Sequence, residues 1–410
     1  GISAAIGAKK QGHQVTLLEK TDLLLGLGNV GGIMRNNGRY TAAEENICLG
    51  ASELFEITDR HSIHRDIDFP GHKHASFYDA NKVEIDVRKL VEEMEIDLFM
   101  ETRVTDVVCN SEMEAIKTSE GKRIEGDSFI EATGSSGPMG NCTRYGNGCS
   151  MCILRCPSFG PRVSLTEKVG LDDLSAVRDD GMKGAFSGSC KLDKRTLSKK
   201  LQKKLEKEGF VVVPLPVKLI DKDKLTKKVC QQYALDEFAE NIILIDTGDA
   251  KLMTSYFPIE KLRTVEGFEN ARYIDPYAGG KGNSVRYMSV GVRDEYMRAK
   301  GVRNLFLAGE KSGFFVGHTE AITTGSLAGY NCGRYISGKS MLTLPNELSL
   351  GKLLSFAQDA LKETGCLKRR FTFAGGEFFE LMKENNLYTT DSKVIRKKVE
   401  KAGLLNVYNN

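Results

Sequence analysis

Gly1-Ile-Ser-Ala-Ala-Ile-Gly-Ala-Lys-Lys-Gln-Gly12 and the run after it, Val15-Thr-Leu-Leu-Glu19, decide the fold. Small residues line one side of a short helix that Gly12 ends, and the apolar run reads as a buried strand. A helix opening on glycine, then a strand ending in an acid about twenty residues on, is the second half of a dinucleotide-binding unit. Gly1 takes the place of the glycine that lets helix and strand pack closely, with Ala4 and Ala5 beneath the sheet. The acid, Glu19, is then expected to accept hydrogen bonds from ribose hydroxyls. On this reading the first strand and first two glycines of the unit precede Gly1. An ordinary surface glutamate fits the spacing equally well, so the motif needs support from elsewhere in the chain.

Three further stretches supply it. Asp86–Met94 reads as an amphipathic helix, and Ile96–Met100 and Val104–Val108 read as strands, with Val104 offering a backbone amide to an adenine. Asp127-Ser-Phe-Ile-Glu-Ala-Thr-Gly134 reads as a strand whose end, Ala132-Thr133-Gly134, lets the backbone approach a bound dinucleotide. Val302–Glu310 reads as a fourth strand, leading through Lys311-Ser-Gly-Phe-Phe-Val-Gly-His318 into a small-residue helix, Thr319–Tyr330. The start of that helix brings partial positive charge to a ligand, and beside a flavin that charge stabilises the anionic reduced ring. Each stretch alone also fits a buried element with no ligand. In this order they point to a flavin dinucleotide.

The bulk composition is compatible with this. A chain of 410 residues accommodates two or three domains, and 40% hydrophobic with 28% charged residues is ordinary for a globular protein. The longest apolar runs, such as Ile242–Ile245, fall far below the ~20 residues of a membrane span, and no signal peptide is visible. A net charge of +3 does not by itself argue for a nucleic-acid partner. Ten cysteines are too few for a disulfide scaffold and suit a reducing cytoplasm, so a cytoplasmic location is expected.

The motifs together resemble the glutathione-reductase-like superfamily of FAD proteins. Within it they look most like the tRNA-modifying flavoproteins of the glucose-inhibited division A family and the folate-dependent tRNA uridine methyltransferases. Leu305-Phe-Leu-Ala-Gly-Glu-Lys-Ser-Gly313 and Gly317-His-Thr-Glu-Ala-Ile-Thr-Thr-Gly-Ser-Leu-Ala-Gly-Tyr-Asn331 resemble their C-terminal flavin motif. The resemblance implies that Gly309, Glu310, Gly313 and Gly317 line the flavin, with Thr319, Glu320 and Ala321 at the helix start. It also implies that Gly31 and Gly32 are a flavin-contacting pair. It covers roughly 1–50, 80–140 and 260–335. Two departures stand out: the long C-terminal helical domain of those enzymes is expected to have no counterpart here, and the cysteine pattern differs.

That pattern is Cys142, then Cys149-Ser-Met-Cys152-Ile-Leu-Arg-Cys156-Pro157. Close thiolates suit an iron–sulfur cluster, with Cys142 or Cys190 as the fourth ligand. Cys149 and Cys152 also suit a redox dithiol exchanging electrons with a flavin, and a packed loop of reduced thiols suits the same spacing. Tetrahedral zinc would be an unusual addition beside a flavin.

Other candidates are weaker. His61, His64, His72 and His74 fall in a turn-rich segment expected to be a surface loop, with metal binding a poorer fit. Arg35, Asn36, Asn37 and Arg39 follow the glycine pair and suit either a flavin or anion contact or plain loop formation. Asp193–Glu208 reads as an amphipathic helix on Leu197, Leu201 and Leu205, its basic face either solvated or RNA-binding. His318 is the best proton-transfer candidate, or else a helix cap.

The expected architecture is α/β: a Rossmann-like FAD-binding domain of the glutathione-reductase type from 1–140 and 285–340. An α+β substrate or cap domain, 141–284, is inserted, with strands at Phe210–Val213 and Asn241–Asp246 and a helix over Lys227–Glu240. Residues 341–410 form a small helical C-terminal appendage. No second glycine-rich fingerprint argues for a nicotinamide domain. The expected function is an FAD-dependent oxidoreductase exchanging a hydride or electrons with an unidentified small molecule or electron-transfer partner, with catalytic His318, Cys149 and Cys152. The alternative is a flavoprotein of tRNA modification, with tRNA as partner.

Overall fold

The computed structural model describes residues 1–134, 156–181, 183, 185–186, 190–226, 228, 231–254, 257–274, 285–286 and 288–410. Cys142, Cys149 and Cys152 lie outside the described residues, as do the side chains of Cys156 and Cys190.

Along the chain run α1 (Ile2–Lys10), β1 (Thr16–Leu18), β2 (Ile33–Met34), α2 (Gly38–Leu49), α3 (Glu53–Arg60), β3 (Ser62–Phe69), β4 (His72–Tyr78) and α4 (Val83–Glu93). There follow β5 (Asp97–Phe99), β6 (Val104–Cys109), β7 (Met113–Thr118), β8 (Arg123–Glu125) and β9 (Phe129–Glu131). Beyond residue 156 lie β10 (Cys190–Leu192), α5 (Lys199–Glu208), β11 (Phe210–Pro214), β12 (Asn241–Thr247) and β13 (Asp249–Leu252). The chain closes with β14 (Leu305–Leu307), α6 (His318–Ile336), α7 (Ser349–Ala360), α8 (Gly376–Glu384) and α9 (Ser392–Lys401).

Two parallel pairs carry the dinucleotide-fold signature. β1 pairs with β5 at Leu17↔Leu98, and β9 pairs with β14 at Ile130↔Phe306. Parallel pairing requires crossovers, and α1, α4 and α6 pack as the covering helices. β6, β7 and β8 form an antiparallel three-stranded sheet, as do β2, β4 and β3 in that spatial order. The inserted sheet is four-stranded and antiparallel, ordered β10-β13-β12-β11.

The small residues of α1 and α6 serve each other. A Cβ on Gly325 would stand 2.1 Å from Ser3 Oγ, and one on Gly7 would stand 3.0 Å from the Ser326 carbonyl. Glycine at these positions lets the two backbones meet, as small-residue spacing does wherever helices pack closely.

Residues 341–410 are built into the same core. Leu353, Phe371, Phe378, Val399 and Tyr408 bury together with Ala4, Phe306, Phe315 and Leu327 of the dinucleotide fold.

Two expectations are corrected. The histidine segment is a β-hairpin, β3–β4, because its alternating residues Ile67, Phe69, Ala75 and Phe77 bury against Ile243 and Ile245 of β12. Its histidines go to separate partners: His61 to Asp86, His64 to Asp246, His74 to Asp66, and His72 to Asn36 and the Gln232 carbonyl. The helix over Lys227–Glu240 is not continuous; the described residues hold a 3-10 turn at Gln231–Tyr233 and one helical turn at Glu237–Glu240. Burial of Tyr233 and Phe238 against Ala75, Phe77 and Met253 pulls this segment across the sheet. The basic helix begins at Lys199, where Ser198 accepts from the Leu201 amide, with Leu201 and Leu205 buried.

Candidate functional site

Two clusters of predicted residues converge at the carboxyl ends of the parallel strands, the edge where dinucleotide folds bind their ligand. The first surrounds the glycine pair. Gly32 has φ 81° and the ring of His318 lies against Gly31, where a Cβ would stand 1.8 Å from His318 Cε1. A Cβ on Gly32 would meet Thr247 Cγ2 at 2.3 Å. The pair is therefore glycine because the start of α6 presses on one member and the end of β12 on the other. Lys251 of β13 donates to the Val30 carbonyl at 2.7 Å and also to that of Gly31, tying the inserted sheet to this turn. Tyr78 of β4 completes the cluster, its hydroxyl 3.2 Å from His318 Nδ1.

α6 begins at Gly317, φ 139°, without a side-chain cap. His318 is thus not the cap; it is the first helical residue, with its ring turned to Tyr78. The uncapped amides of the first turn carry the positive end of a 19-residue helix.

The second cluster lies past β9 and β14. Gly134 (φ 78°) and Gly309 (φ 65°) adopt the left-handed conformation that glycine favours. A Cβ on Gly309 would touch only Ala321, at 4.0 Å, and one on Gly134 would meet nothing within 4 Å among the described residues. Among the described residues, then, nothing would obstruct a side chain at either position. Beneath them Glu131, 1% exposed, accepts from Thr133 Oγ1 at 2.8 Å and from the Thr166 amide at 3.0 Å. Arg162 Nε donates to Thr133 Oγ1 at 3.0 Å, and buried Lys311 Nζ lies 2.6 Å from Asp173 Oδ1. Burial pushes the Lys311 ammonium below its usual range against the pull of Glu131 and Asp173. This buried ion network fixes the strand ends that carry Gly134 and Gly309.

At the far end Glu19 Oε1 accepts from the Thr21 amide at 2.8 Å and from Thr21 Oγ1 at 2.9 Å, which holds the carboxylate just past β1. Gly1 sits between Leu17 and Ala132, where a Cβ would make only ordinary contacts of 3.6–3.7 Å. Val104 opens β6 opposite Thr118.

Several predicted residues serve the scaffold. The Glu320 carboxylate is fully buried and accepts from Arg39 Nε at 3.1 Å, Thr372 Oγ1 at 2.7 Å and the Phe373 amide at 2.9 Å. Thr319 Oγ1 lies 3.4 Å from Met34 Sδ, and Gly313 is extended beneath the Phe315 ring. Arg35 pairs with Glu44 and Asp59. Tyr78, Thr247, Lys251, Arg162 and Asp173 carry no motif, so nothing in the sequence marked them.

The residues present fit an FAD. Two left-handed glycines at the strand ends have no described residue against them, Glu19 is held just past β1 where the motif expects the ribose, and an uncapped helix start faces the glycine pair. Thr247 Oγ1, fully buried at that pair, has no hydrogen-bond partner among the described residues. The candidate iron–sulfur ligands Cys142, Cys149 and Cys152 lie outside the described residues, and among the described residues no group of three or more metal-ligating side chains converges. No helix among them is long and apolar enough to cross a membrane.

Fold and family match together define a flavoprotein with a Rossmann-like FAD-binding fold of the glutathione-reductase type. The sequence profile of the family described as Glucose inhibited division protein A matches residues 1–255 and 246–340, and the chain belongs to that family. A methylenetetrahydrofolate–tRNA-(uracil-5-)-methyltransferase TrmFO of Thermosipho melanesiensis is 34% identical over 95 residues, 23% of this chain and 21% of that protein. The TrmFO of Fervidobacterium nodosum is 35% identical over 100 residues, 24% and 22% of the two chains. The match thus spans about a fifth of these relatives' length. The GidA structure from Aquifex aeolicus in its form II crystal superposes with a TM-score of 0.64 at 15% identity, covering 98% of this chain and 74% of that one. Its form I crystal gives 0.55 at 13% identity, covering 98% and 76%.

Proposed function

We propose that the protein is a flavoenzyme of tRNA modification, binding FAD at the two glycine clusters and acting on a uridine-bearing tRNA. The observation that carries this is the family match, which runs through both clusters, residues 1–255 and 246–340. It favours tRNA over the broader expectation of a small-molecule substrate. In this reading 1–140 and 285–340 hold the cofactor and 141–284 cover it.

FAD, when bound, supplies two-electron hydride chemistry. The chain's own residues supply the rest. Glu19 accepts from the ribose hydroxyls, and Gly134 and Gly309 admit the cofactor close to the backbone. The first-turn amides of α6 lower the energy of negative charge on the reduced ring. Lys251 and Thr247 hold the inserted sheet over the glycine pair and keep water from it. His318 holds a proton beside the ring.

The test is direct. Purified protein should carry FAD, released on denaturation, and tRNA from cells lacking the protein should lose one modified uridine by nucleoside mass analysis. A flavin-loaded protein whose absence leaves the tRNA nucleosides unchanged would refute the tRNA reading. A protein that takes up no FAD would refute the flavin reading as well.

A further inference from the structure

The contact between Tyr78 and His318 is built from both sides. The imidazole rests on Gly31, where any side chain would collide with it, and Tyr78 Oη meets Nδ1 at 3.2 Å. Tyr78 is 2% exposed, and its backbone amide donates to the Gly32 carbonyl at 3.0 Å, so the strand that carries the phenol also anchors the glycine pair. Burial pushes the phenol up to about 12, against a backbone hydrogen bond from Gly32 that works the other way. The phenol therefore keeps its proton, and His318 Nδ1 is the acceptor that stands within reach of it among the described residues. A neutral imidazole has one donor and one acceptor nitrogen, and the partner of one nitrogen decides where the proton sits.

We propose that Tyr78 is a positioning residue: its hydroxyl donates to Nδ1 of His318 and holds the ring with its proton on Nε2. His318 then meets the bound cofactor and substrate as a donor. The role of the donor rests on the flavin site proposed above; the tautomer does not.

His72 provides an internal standard. It is buried with Nε2 3.0 Å from the Gln232 carbonyl, which can only accept, so its proton is on Nε2 while Nδ1 receives Asn36 Nδ2 at 2.9 Å. The experiment is a long-range proton–nitrogen correlation spectrum of the whole protein labelled with 15N-histidine. His318 is assigned by the signal lost in His318→Gln and His72 by that lost in His72→Gln. The expected result is that His318 shows the Nε2-protonated pattern of His72, and that Tyr78→Phe moves His318 away from it while His72 stays. A wild-type His318 protonated on Nδ1 or on both nitrogens would overturn the proposal, as would an unchanged pattern in Tyr78→Phe. The wild-type spectrum decides even if Tyr78→Phe fails to fold. Because it is read with or without flavin, loss of the flavin reading and loss of this one are distinguishable.

Discussion

Gly329 of α6 and Ala4 of α1 are in backbone contact: a Cβ added to the glycine would stand 2.0 Å from the alanine carbonyl oxygen. Backbone cannot yield as a flexible side chain can. Gly329→Ala gains about 1 kcal/mol of helix propensity but forces the two helices apart, and overpacking of this kind costs about 1–3 kcal/mol or more. The expected net result is a lower urea midpoint at unchanged slope. A variant as stable as the wild type would mean that α1 and α6 do not approach this closely.

The Arg39–Glu320 pair is buried on both sides, with side-chain exposures of 5% and 0%. Glu320→Ala strands the Arg39 guanidinium among Val316, Thr372 and Asn36, and breaking such a pair costs about 3–5 kcal/mol. The double variant Arg39→Met, Glu320→Leu should lose less than the sum of the two singles. Denaturant titrations of the four proteins measure the coupling; additive losses would contradict a direct pair.

Glu45 caps α7 from outside, accepting from the Ser349 amide at 3.0 Å, Ser349 Oγ at 2.6 Å and the Leu350 amide at 3.1 Å. Burial pushes its carboxyl up to about 7, against these hydrogen bonds. A folded value above the unfolded 4.5 means that the folded state binds the extra proton. The stability Glu45 contributes is therefore full below about pH 4.5 and is lost as pH rises through about 7. Glu45→Gln should flatten the fall in urea midpoint between these values. An equal fall in both proteins would place the titrating group elsewhere.

Lys199, Lys200, Lys203 and Lys207 are exposed on α5, whose other face buries Leu201 and Leu205. If this face meets tRNA, Lys199→Glu, Lys200→Glu and Lys203→Glu together should weaken binding and flatten its dependence on salt, since each phosphate contact releases a counterion. Stability should not change, because the residues are solvated. Retained tRNA affinity at every salt concentration would remove this helix from the interface.

What was legible in the sequence is what depends on near neighbours in the chain. Thr16–Leu18, Phe129–Glu131 and Leu305–Leu307 appear where apolar runs end in acid or glycine, and α4 and α6 where the helical period repeats. The family resemblance pointed to Gly31, Gly32 and Gly309, and the Ala-Thr-Gly end of the strand at Phe129–Glu131 pointed to Gly134.

The rest was decided only by the tertiary structure, because its causes lie far apart in the chain. The hairpin at 62–78 shows no clear strand signal until Phe69 and Phe77 find Ile243 and Ile245. Glu320 looks like a cofactor contact in its motif, yet Arg39 and Thr372, from opposite ends of the chain, claim its carboxylate. Tyr78, Thr247 and Lys251 reach the glycine pair from β4, β12 and β13, and no local pattern encodes that meeting. The sequence by itself determined the class of fold and the strand ends where a dinucleotide is proposed to bind, since backbone geometry and helix period are local properties. Which side chains stand at that edge, and with what proton or charge, was set by burial and by partners hundreds of residues away, which only the packed structure brings together.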